Sequence, residues 1–235
     1  MRIPRITLLL VTAAALAAGC GSGEDSSADA AAKPAGSKSR GQASEAEPLA
    51  VEIDRARPGV VELLEDLKEP EPKPGKDAEF TEKVEYKLRE DLLRDAWIDG
   101  ETTADCPDGV TLKASATSRC TATYEGVEIP YEVTVKDDYK EGAFLIRYET
   151  RPLKDLLVAE RVYNEFWRNH GEQGGGGFEQ KLTCDEMPDA LAVDRGADSG
   201  YRCRLWTKAG DGDNGRFTHF TVTTDSFGPE FARTS

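Results

Sequence analysis

The sequence is poor in the residues that most catalytic and nucleic-acid-binding sites require. It has only two histidines, and its 44 acidic residues outnumber 30 basic ones, which gives a formal charge of -14 over 235 residues. Phosphate binding depends on clustered lysine and arginine, so this balance argues against a nucleic-acid partner. The chain has no Gly-x-Ser-x-Gly motif, and no Lys-Ser or Lys-Thr follows the glycine run at 174–177. The sequence therefore offers no standard hydrolase or nucleotide-binding motif.

Aromatic residues are missing from the first third of the chain. The sequence has eight Phe, seven Tyr and three Trp, and the first of them is Phe80. A segment without aromatics buries too little apolar surface to offset the loss of chain entropy on folding. We therefore predict that residues 20–79 form a disordered, acidic tether rich in Pro, Ala and Ser. Within it, the amphipathic pattern at 59–68 fits either a docking helix or a transient one.

The N-terminus carries the pattern of an export signal. Two arginines are followed by a largely apolar run at 6–18. This run is shorter than the roughly 20 residues of a membrane span and fits the core of a signal peptide. It ends in Leu16-Ala17-Ala18-Gly19-Cys20, which resembles a bacterial lipobox, although Ala17 occupies a position where a large aliphatic residue is usual.

The lipobox resemblance implies a signal peptide at 1–19 and a lipid of palmitate type on Cys20. The alternative is an ordinary secretory signal with an incidental cysteine. Each acyl CH₂ buried in a bilayer contributes about 0.8 kcal/mol to membrane binding. We therefore predict a lipoprotein whose partner is the cell membrane, reached through the lipid on Cys20, with the folded part on the extracytoplasmic face.

Two segments of the chain repeat one order of features. Each begins with an amphipathic helix, predicted at 80–99 and 152–170, and each helix ends in Trp followed by Gly. A cysteine, a polar stretch and a second cysteine that opens an alternating strand follow in both. Further inward-facing strand positions are Tyr131, Val133 and Val135, then Phe144, Ile146 and Tyr148, and later Phe220 and Val222.

One-sided strands beside amphipathic helices predict an α+β fold. We predict two tandem units, at 80–151 and 152–235. Each would be a helix packed on a small antiparallel sheet and would contain one local disulfide.

The first of these segments is similar to a known family. Cys106-Pro107-Asp108-Gly109-Val110, Cys120 and Tyr131-Glu132-Val133-Thr134-Val135 together resemble the bacterial domain of unknown function 4333. The resemblance covers about residues 80–150 well and 152–235 loosely. It implies a small helix-plus-sheet unit with paired cysteines, in an actinobacterial-type secreted protein or lipoprotein. The family has no agreed activity, so the resemblance implies no catalytic residues.

Four cysteines remain once Cys20 is set aside. An even number in an exported chain indicates disulfides, and four cysteines allow three connectivities. The repeat favours Cys106 with Cys120 and Cys184 with Cys203, one bond in each unit. A zinc site is the rival interpretation, but its usual Cys-x₂₋₄-Cys spacing does not occur, so we predict no metal site.

Few residues are candidates for catalysis. His170 at a helix end and His219 on a strand are expected to be structural surface residues. The pair Asp137-Asp138 could serve as glycosidase carboxylates, but adjacent acids arise by chance in a chain this acidic. The segment 211–215 fails the calcium-loop pattern at its twelfth position, Val222, and is typical of a hairpin turn.

We therefore predict no enzyme activity, no catalytic residues and no cofactor. The expected function is a non-catalytic binding or interaction module of the cell envelope, whose partner is an unidentified envelope protein or polymer. The alternatives are a cell-envelope hydrolase that uses carboxylates, and a regulatory or inhibitory lipoprotein of a membrane partner.

Overall fold

A computed structural model describes residues 49–171, 178–209, 215–225 and 227–234. This part of the chain is a mixed α and β structure, as predicted, in which antiparallel sheet predominates. Its helices are α1 (Phe80–Ala96), α2 (Ala159–His170) and a 3₁₀ turn at Leu64–Asp66. Its strands are β1 (Val51–Ile53), β2 (Thr102–Asp105), β3 (Thr117–Tyr124), β4 (Val127–Val135), β5 (Tyr148–Pro152), β6 (Lys154–Val158), β7 (Phe178–Cys184), β8 (Ala190–Asp194), β9 (Arg202–Ala209), β10 (Arg216–Asp225) and β11 (Gly228–Thr234).

The first core lies between α1 and a four-stranded antiparallel sheet ordered β2-β3-β4-β5. Helix α1 places Val84, Leu88 and Leu92 at steps of four, and all three are fully buried, as the spacing predicts. Strands β3 and β4 alternate between buried and accessible residues, because successive side chains of a strand point to opposite faces. The helix ends at Ala96 and is capped by Trp97 in the left-handed conformation, and not at the predicted position near Gly100.

The second core lies between α2 and a five-stranded sheet ordered β1-β7-β9-β10-β11. Phe166 of α2 packs edge to face against Phe220 of β10, with ring centroids 5.4 Å apart. Val222 is fully buried on the same face of β10, so the predicted inward positions of this strand are confirmed. Helix α2 thus covers one face of this sheet, as expected for a helix packed on a sheet.

The prediction that folding begins at Phe80 is wrong for residues 49–79. Strand β1 pairs with β7 along the edge of the second sheet, and Ile53 is 1% exposed in the second core. Farther along, Val60 forms a β-bridge with Ile98. The prediction relied on the absence of aromatic residues before Phe80, but a single aliphatic side chain on a short edge strand is enough to fill a core position. Residues 20–48 of the predicted tether lie outside the described part of the chain.

The predicted helix 152–170 is also corrected, because its first third is strand β6, which pairs with β8 as a separate two-stranded sheet. Leu156 and Val158 of β6 belong to the first core, whereas Leu157 belongs to the second. This alternation suits a strand covered on both faces, and over a few residues it resembles helical spacing. Strand β6 therefore supplies side chains to both cores, although the sequence placed it in the second unit alone.

The loop between β4 and β5 departs from the predicted strand at Phe144, Ile146 and Tyr148. Hydrogen-bonded turns interrupt the alternation, including one from the Ala143 N–H to the Lys140 carbonyl at 3.0 Å. Phe144 is fully exposed, while Tyr148 alone of the three lies in β5 and packs edge to face on Phe80.

Both predicted disulfides are confirmed. Cys106 directly follows β2 and bonds to Cys120 on β3, and Cys184 on β7 bonds to Cys203 on β9. In each case the bond joins two neighbouring strands of one sheet, and all four cysteines are buried. The bonds are structural crosslinks inside the two cores.

Candidate functional site

A cleft opens where elements from both cores meet. Its walls come from the C-terminal half of α1, strands β5 and β6, the first turn of α2 and the turn between β10 and β11, and its volume is about 520 Å³. That size falls within the range of small-molecule sites. We call it the junction cleft; the residues that define it are Asp91, Asp95, Tyr131, Asp155, Arg161 and Arg195.

Arg161 fixes the shape of the junction cleft. It lies in the first turn of α2, is 5% exposed, and donates hydrogen bonds to the backbone carbonyls of Asp95 and Phe227. The Asp95 carbonyl belongs to the last turn of α1, where carbonyls lack helical partners and carry partial negative charge. The guanidinium also lies over the Trp97 ring, 5.7 Å from its centroid. One buried cation thus ties α1, α2 and the β10–β11 turn together.

The turn that approaches Arg161 requires glycine at position 228. Gly228 has a φ of 130°, which side chains rarely adopt. A Cβ at this position would lie 2.1 Å from the Arg161 Nη2 atom. The carboxylate of Asp225 closes the same turn by accepting hydrogen bonds from the Phe227 and Gly228 N–H groups. The backbone here is therefore shaped to admit the guanidinium.

A second polar group holds the far wall of the cleft. Asp155 on β6 accepts a hydrogen bond from the Thr224 hydroxyl at 2.7 Å and pairs with Arg195 at 3.4 Å. Arg195 also donates to the Pro152 carbonyl at 3.0 Å. These side chains are engaged with protein groups, and their contacts position the wall.

Tyr131 differs from these neighbours. It lies on β4, is 1% exposed and lines the cleft, and its buried hydroxyl has no hydrogen-bond partner among the described residues. Burial of the phenol raises its pKa, and the nearby Asp95 and Asp91 carboxylates add to the shift. An unpartnered buried hydroxyl costs about 1–3 kcal/mol, so most native proteins avoid one. The Arg161 Nε–H is also buried without a partner in the described part of the chain.

Asp95 is the titratable group most affected by the cleft. The surrounding walls remove part of its hydration and raise the pKa of the carboxyl to about 6. Repulsion from Asp91 acts in the same direction, while Arg161 and Arg195 partly oppose it. The side chain remains accessible to solvent, and no described group hydrogen-bonds or ion-pairs with its carboxyl. A carboxyl with this pKa exchanges its proton close to neutral pH.

The residues singled out from the sequence lie elsewhere. His170 packs on Phe166 and Phe220 at the edge of the second core, where burial lowers its pKa. These contacts are consistent with a structural role for His170. Asp138 pairs with Arg147 on the exposed β4–β5 loop. Cys20, the glycine run 174–177 and the turn residues 211–214 lie outside the described part of the chain.

The sequence reasoning missed the junction cleft. One local signal was present, since Asp91 and Asp95 lie four residues apart on one face of α1, where like charges repel. Nothing in the sequence indicated that Tyr131 and Arg161 would converge on these acids. Arg161 is separated by 66 residues from each of its two carbonyl partners, so only the tertiary fold assembles the cleft.

Comparisons with other proteins add no assignment. The chain matches no protein-family model, no curated protein and no solved structure. The described residues contain no group of three or more His, Cys, Asp or Glu side chains that could hold a metal ion. Across the same residues, no helix is both long and apolar enough to cross a membrane.

Proposed function

We propose that this protein is a lipid-anchored, extracytoplasmic binding protein that holds a small polar ligand in the junction cleft. The single observation that carries the proposal is that Tyr131 lines the cleft and its buried hydroxyl has no partner among the described residues. A ligand atom that hydrogen-bonds to this hydroxyl removes the cost of leaving it unpaired. The binding energy of such a contact is therefore larger than that of a hydrogen bond at an exposed site.

The chemistry of the cleft favours a ligand with groups of both signs. Tyr131 O–H and Arg161 Nε–H are donors without described partners, so they suit an acceptor such as a carboxylate oxygen. Asp95 suits an ammonium group or another donor, whereas Asp91 already pairs with Lys87 and accepts a hydrogen bond from the Thr150 hydroxyl. A zwitterion, such as an amino acid or a short peptide terminus, meets both requirements, whereas a neutral sugar meets only the hydrogen-bonding one.

Isothermal titration of the full-length protein in detergent micelles tests this proposal. The probes are the zwitterion D-alanyl-D-alanine and the neutral sugar N-acetylglucosamine. We expect saturable binding of the zwitterion, weaker binding of the sugar, and an affinity about tenfold lower in Tyr131→Phe, which is the loss of one hydrogen bond to a charged group.

Tyr139→Phe is the matched control, since Tyr139 packs on the first core and does not line the cleft. Equal loss of affinity in the two variants would place the effect outside the cleft. Absence of binding for both probes would contradict the proposed ligand class.

The raised pKa of Asp95 favours a second candidate, a cell-envelope hydrolase that uses carboxylates. A carboxyl with a pKa of about 6 keeps a protonated fraction near neutral pH, and that form can act as a general acid. Incubation with purified cell-wall polymer separates the candidates. An enzyme releases soluble fragments that disappear in Asp95→Asn, whereas a binding protein releases none in either form.

The location in this proposal rests on the N-terminal sequence. The basic start, the apolar run and Cys20 support a signal peptide at 1–19 and a lipid anchor on Cys20. The two confirmed disulfides are consistent with an oxidising, extracytoplasmic compartment. The resemblance to the domain of unknown function 4333 is proposed on its sequence features alone.

We also propose that the two halves derive from one repeated unit. In each half a helix is followed by four strands that occur in the same order along the chain and in the sheet: β2-β3-β4-β5 and β7-β9-β10-β11. In each half a disulfide joins the first two of these strands. Strand β1, and the pair formed by β6 and β8, are additions to this shared pattern.

A further inference from the structure

We infer that a second groove binds an extended basic peptide segment of a partner protein. This groove lies on the face of α1 opposite to the face that lines the junction cleft. This acidic groove has a volume of about 930 Å³. Its floor is α1, one wall is the segment 68–74, and the other wall is the chain from 99 to 104, which includes the start of β2. The residues that carry the inference are Glu71, Glu82, Tyr86, Arg89, Glu101 and Ala104.

The proline-rich wall is fixed in place by hydrogen bonds. Arg89 of α1 donates to the Glu71 carbonyl at 2.5 Å and to the Thr102 carbonyl at 3.0 Å, so it spans from one wall to the other. At the far end, the Lys68 N–H donates to the Asp99 carboxylate at 2.8 Å. The groove therefore has two anchored walls and does not depend on a mobile loop.

Charge in the groove is unbalanced toward acid. Six carboxylates and three basic side chains line it. Lys68 pairs with Asp99, and Lys73 pairs with Glu69. The Glu71, Glu82 and Glu101 carboxylates are exposed, and none of the described basic side chains pairs with them. The charge that remains complements a ligand with several ammonium or guanidinium groups.

Tyr86 provides an independent indication of a ligand. It is 8% exposed, lines the groove, and its hydroxyl has no hydrogen-bond partner among the described residues. Burial and the nearby Glu69 carboxylate raise its pKa, so the phenol stays protonated and acts as a donor near neutral pH. A peptide carbonyl can accept a hydrogen bond from this hydroxyl, whereas a simple metal or ammonium cation has no acceptor group.

The edge of β2 favours a peptide over other cations. Among the described strands, β2 is the outermost of its sheet and pairs only with β3. The Glu125 N–H donates to the Glu101 carbonyl. The backbone groups of the odd-numbered residues of β2 therefore bond to β3, and those of the even-numbered residues point away from β3. The Thr102 carbonyl on this outward side accepts a hydrogen bond from Arg89, while the backbone of Ala104 lies on the same side at the wall of the groove. An extended peptide can pair with this edge while its basic side chains reach the acids.

Fluorescence anisotropy with the full-length protein in detergent micelles tests the inference. The probe is fluorescein-labelled acetyl-Lys-Thr-Lys-Thr-Lys-Thr-amide. We expect saturable binding that weakens with added salt, and an affinity about tenfold lower in the double variant Glu71→Gln/Glu82→Gln. Tyr86→Phe should also lower the affinity. Glu141→Gln, which removes an exposed acid on the β4–β5 loop, should leave it unchanged.

Two competitors distinguish a peptide from other cations. Spermidine tests charge alone, and the same peptide with N-methylated threonine amides tests pairing with the strand edge. The inference requires both to compete at least tenfold less well than the parent peptide. It is overturned by absence of peptide binding, by equal loss of affinity in Glu141→Gln, or by competition from spermidine at the concentration at which the peptide competes.

Discussion

Replacement of Arg161 by methionine should destabilise the whole described fold. Methionine has a similar length and no charge, so the variant removes the two hydrogen bonds to backbone carbonyls and the contact with Trp97. Hydrogen bonds from a charged donor contribute about 1.5–3 kcal/mol each, and the cation–π contact adds about 0.5–2 kcal/mol. The desolvation of a buried cation offsets several kcal/mol of this sum. We expect a net loss of about 3 kcal/mol.

Thermal unfolding followed by circular dichroism measures this loss. For a chain of this length, about 3 kcal/mol corresponds to a fall in Tm of roughly 6–12 °C. Trp97 fluorescence should change in the native state, because the guanidinium no longer covers its ring. Arg168→Met on the same helix is the control, since among the described residues Arg168 forms only a solvent-accessible pair with Glu165, and its loss should alter stability by less than about 0.5 kcal/mol. Equal Tm values for the two variants would refute the role of Arg161 as the tie between the cores.

Four further predictions follow from particular residues. Ile53→Ala should lower the free energy of unfolding by about 3 kcal/mol in chemical denaturation, because the side chain is fully enclosed, whereas a residue on a tether would have no effect. Asp95→Asn should be more stable than the parent by about 1 kcal/mol at pH 7, and the gain should vanish below about pH 4. A folded-state pKa of about 6 means that folding penalises the charged carboxylate, and this penalty is fully present above about pH 6. The value of about 1 kcal/mol is reduced to allow for the solvent access of the side chain. The double variant Cys106→Ala/Cys120→Ala should lose about 3 kcal/mol and still unfold in one calorimetric transition, since β6 supplies both cores; separate melting of the first half would contradict this. Cys20→Ser should release the protein from membranes or leave the signal uncleaved in cell fractionation, and unchanged processing and membrane association would refute the lipid anchor.

Regular spacing made part of the fold predictable. The four-residue steps of α1 and the alternation of β3 and β4 each describe a single element with one buried face, which local sequence records. The disulfide pairing also followed from local order, because each bond links cysteines only 14 or 19 residues apart, on or directly after strands that neighbour each other in one sheet. Strand β6 was not predictable in this way, since a strand buried on both faces loses the alternation that distinguishes it from a helix.

The candidate site was beyond prediction for a different reason. Its defining property is the unpaired state of the Tyr131 hydroxyl, which depends on every neighbour of that atom in three dimensions. The sequence showed Tyr131 only as one inward residue of an alternating strand. The pKa of Asp95 likewise depends on walls from α1, β6 and α2, and Asp91 is the only local contributor among its main causes. Contacts between residues far apart in one sequence become visible only in the folded structure.

The most direct test of the junction cleft as a ligand site is nuclear magnetic resonance of the protein labelled with ¹³C at the tyrosine Cζ atom. The seven tyrosines give seven signals, and Tyr131→Phe identifies the relevant one by its disappearance. On titration with D-alanyl-D-alanine, we expect the Tyr131 signal to shift saturably while that of Tyr139 stays in place, because Tyr131 lines the cleft and Tyr139 does not. A saturable shift at other tyrosines with Tyr131 unchanged would contradict the assignment of this cleft as the binding site.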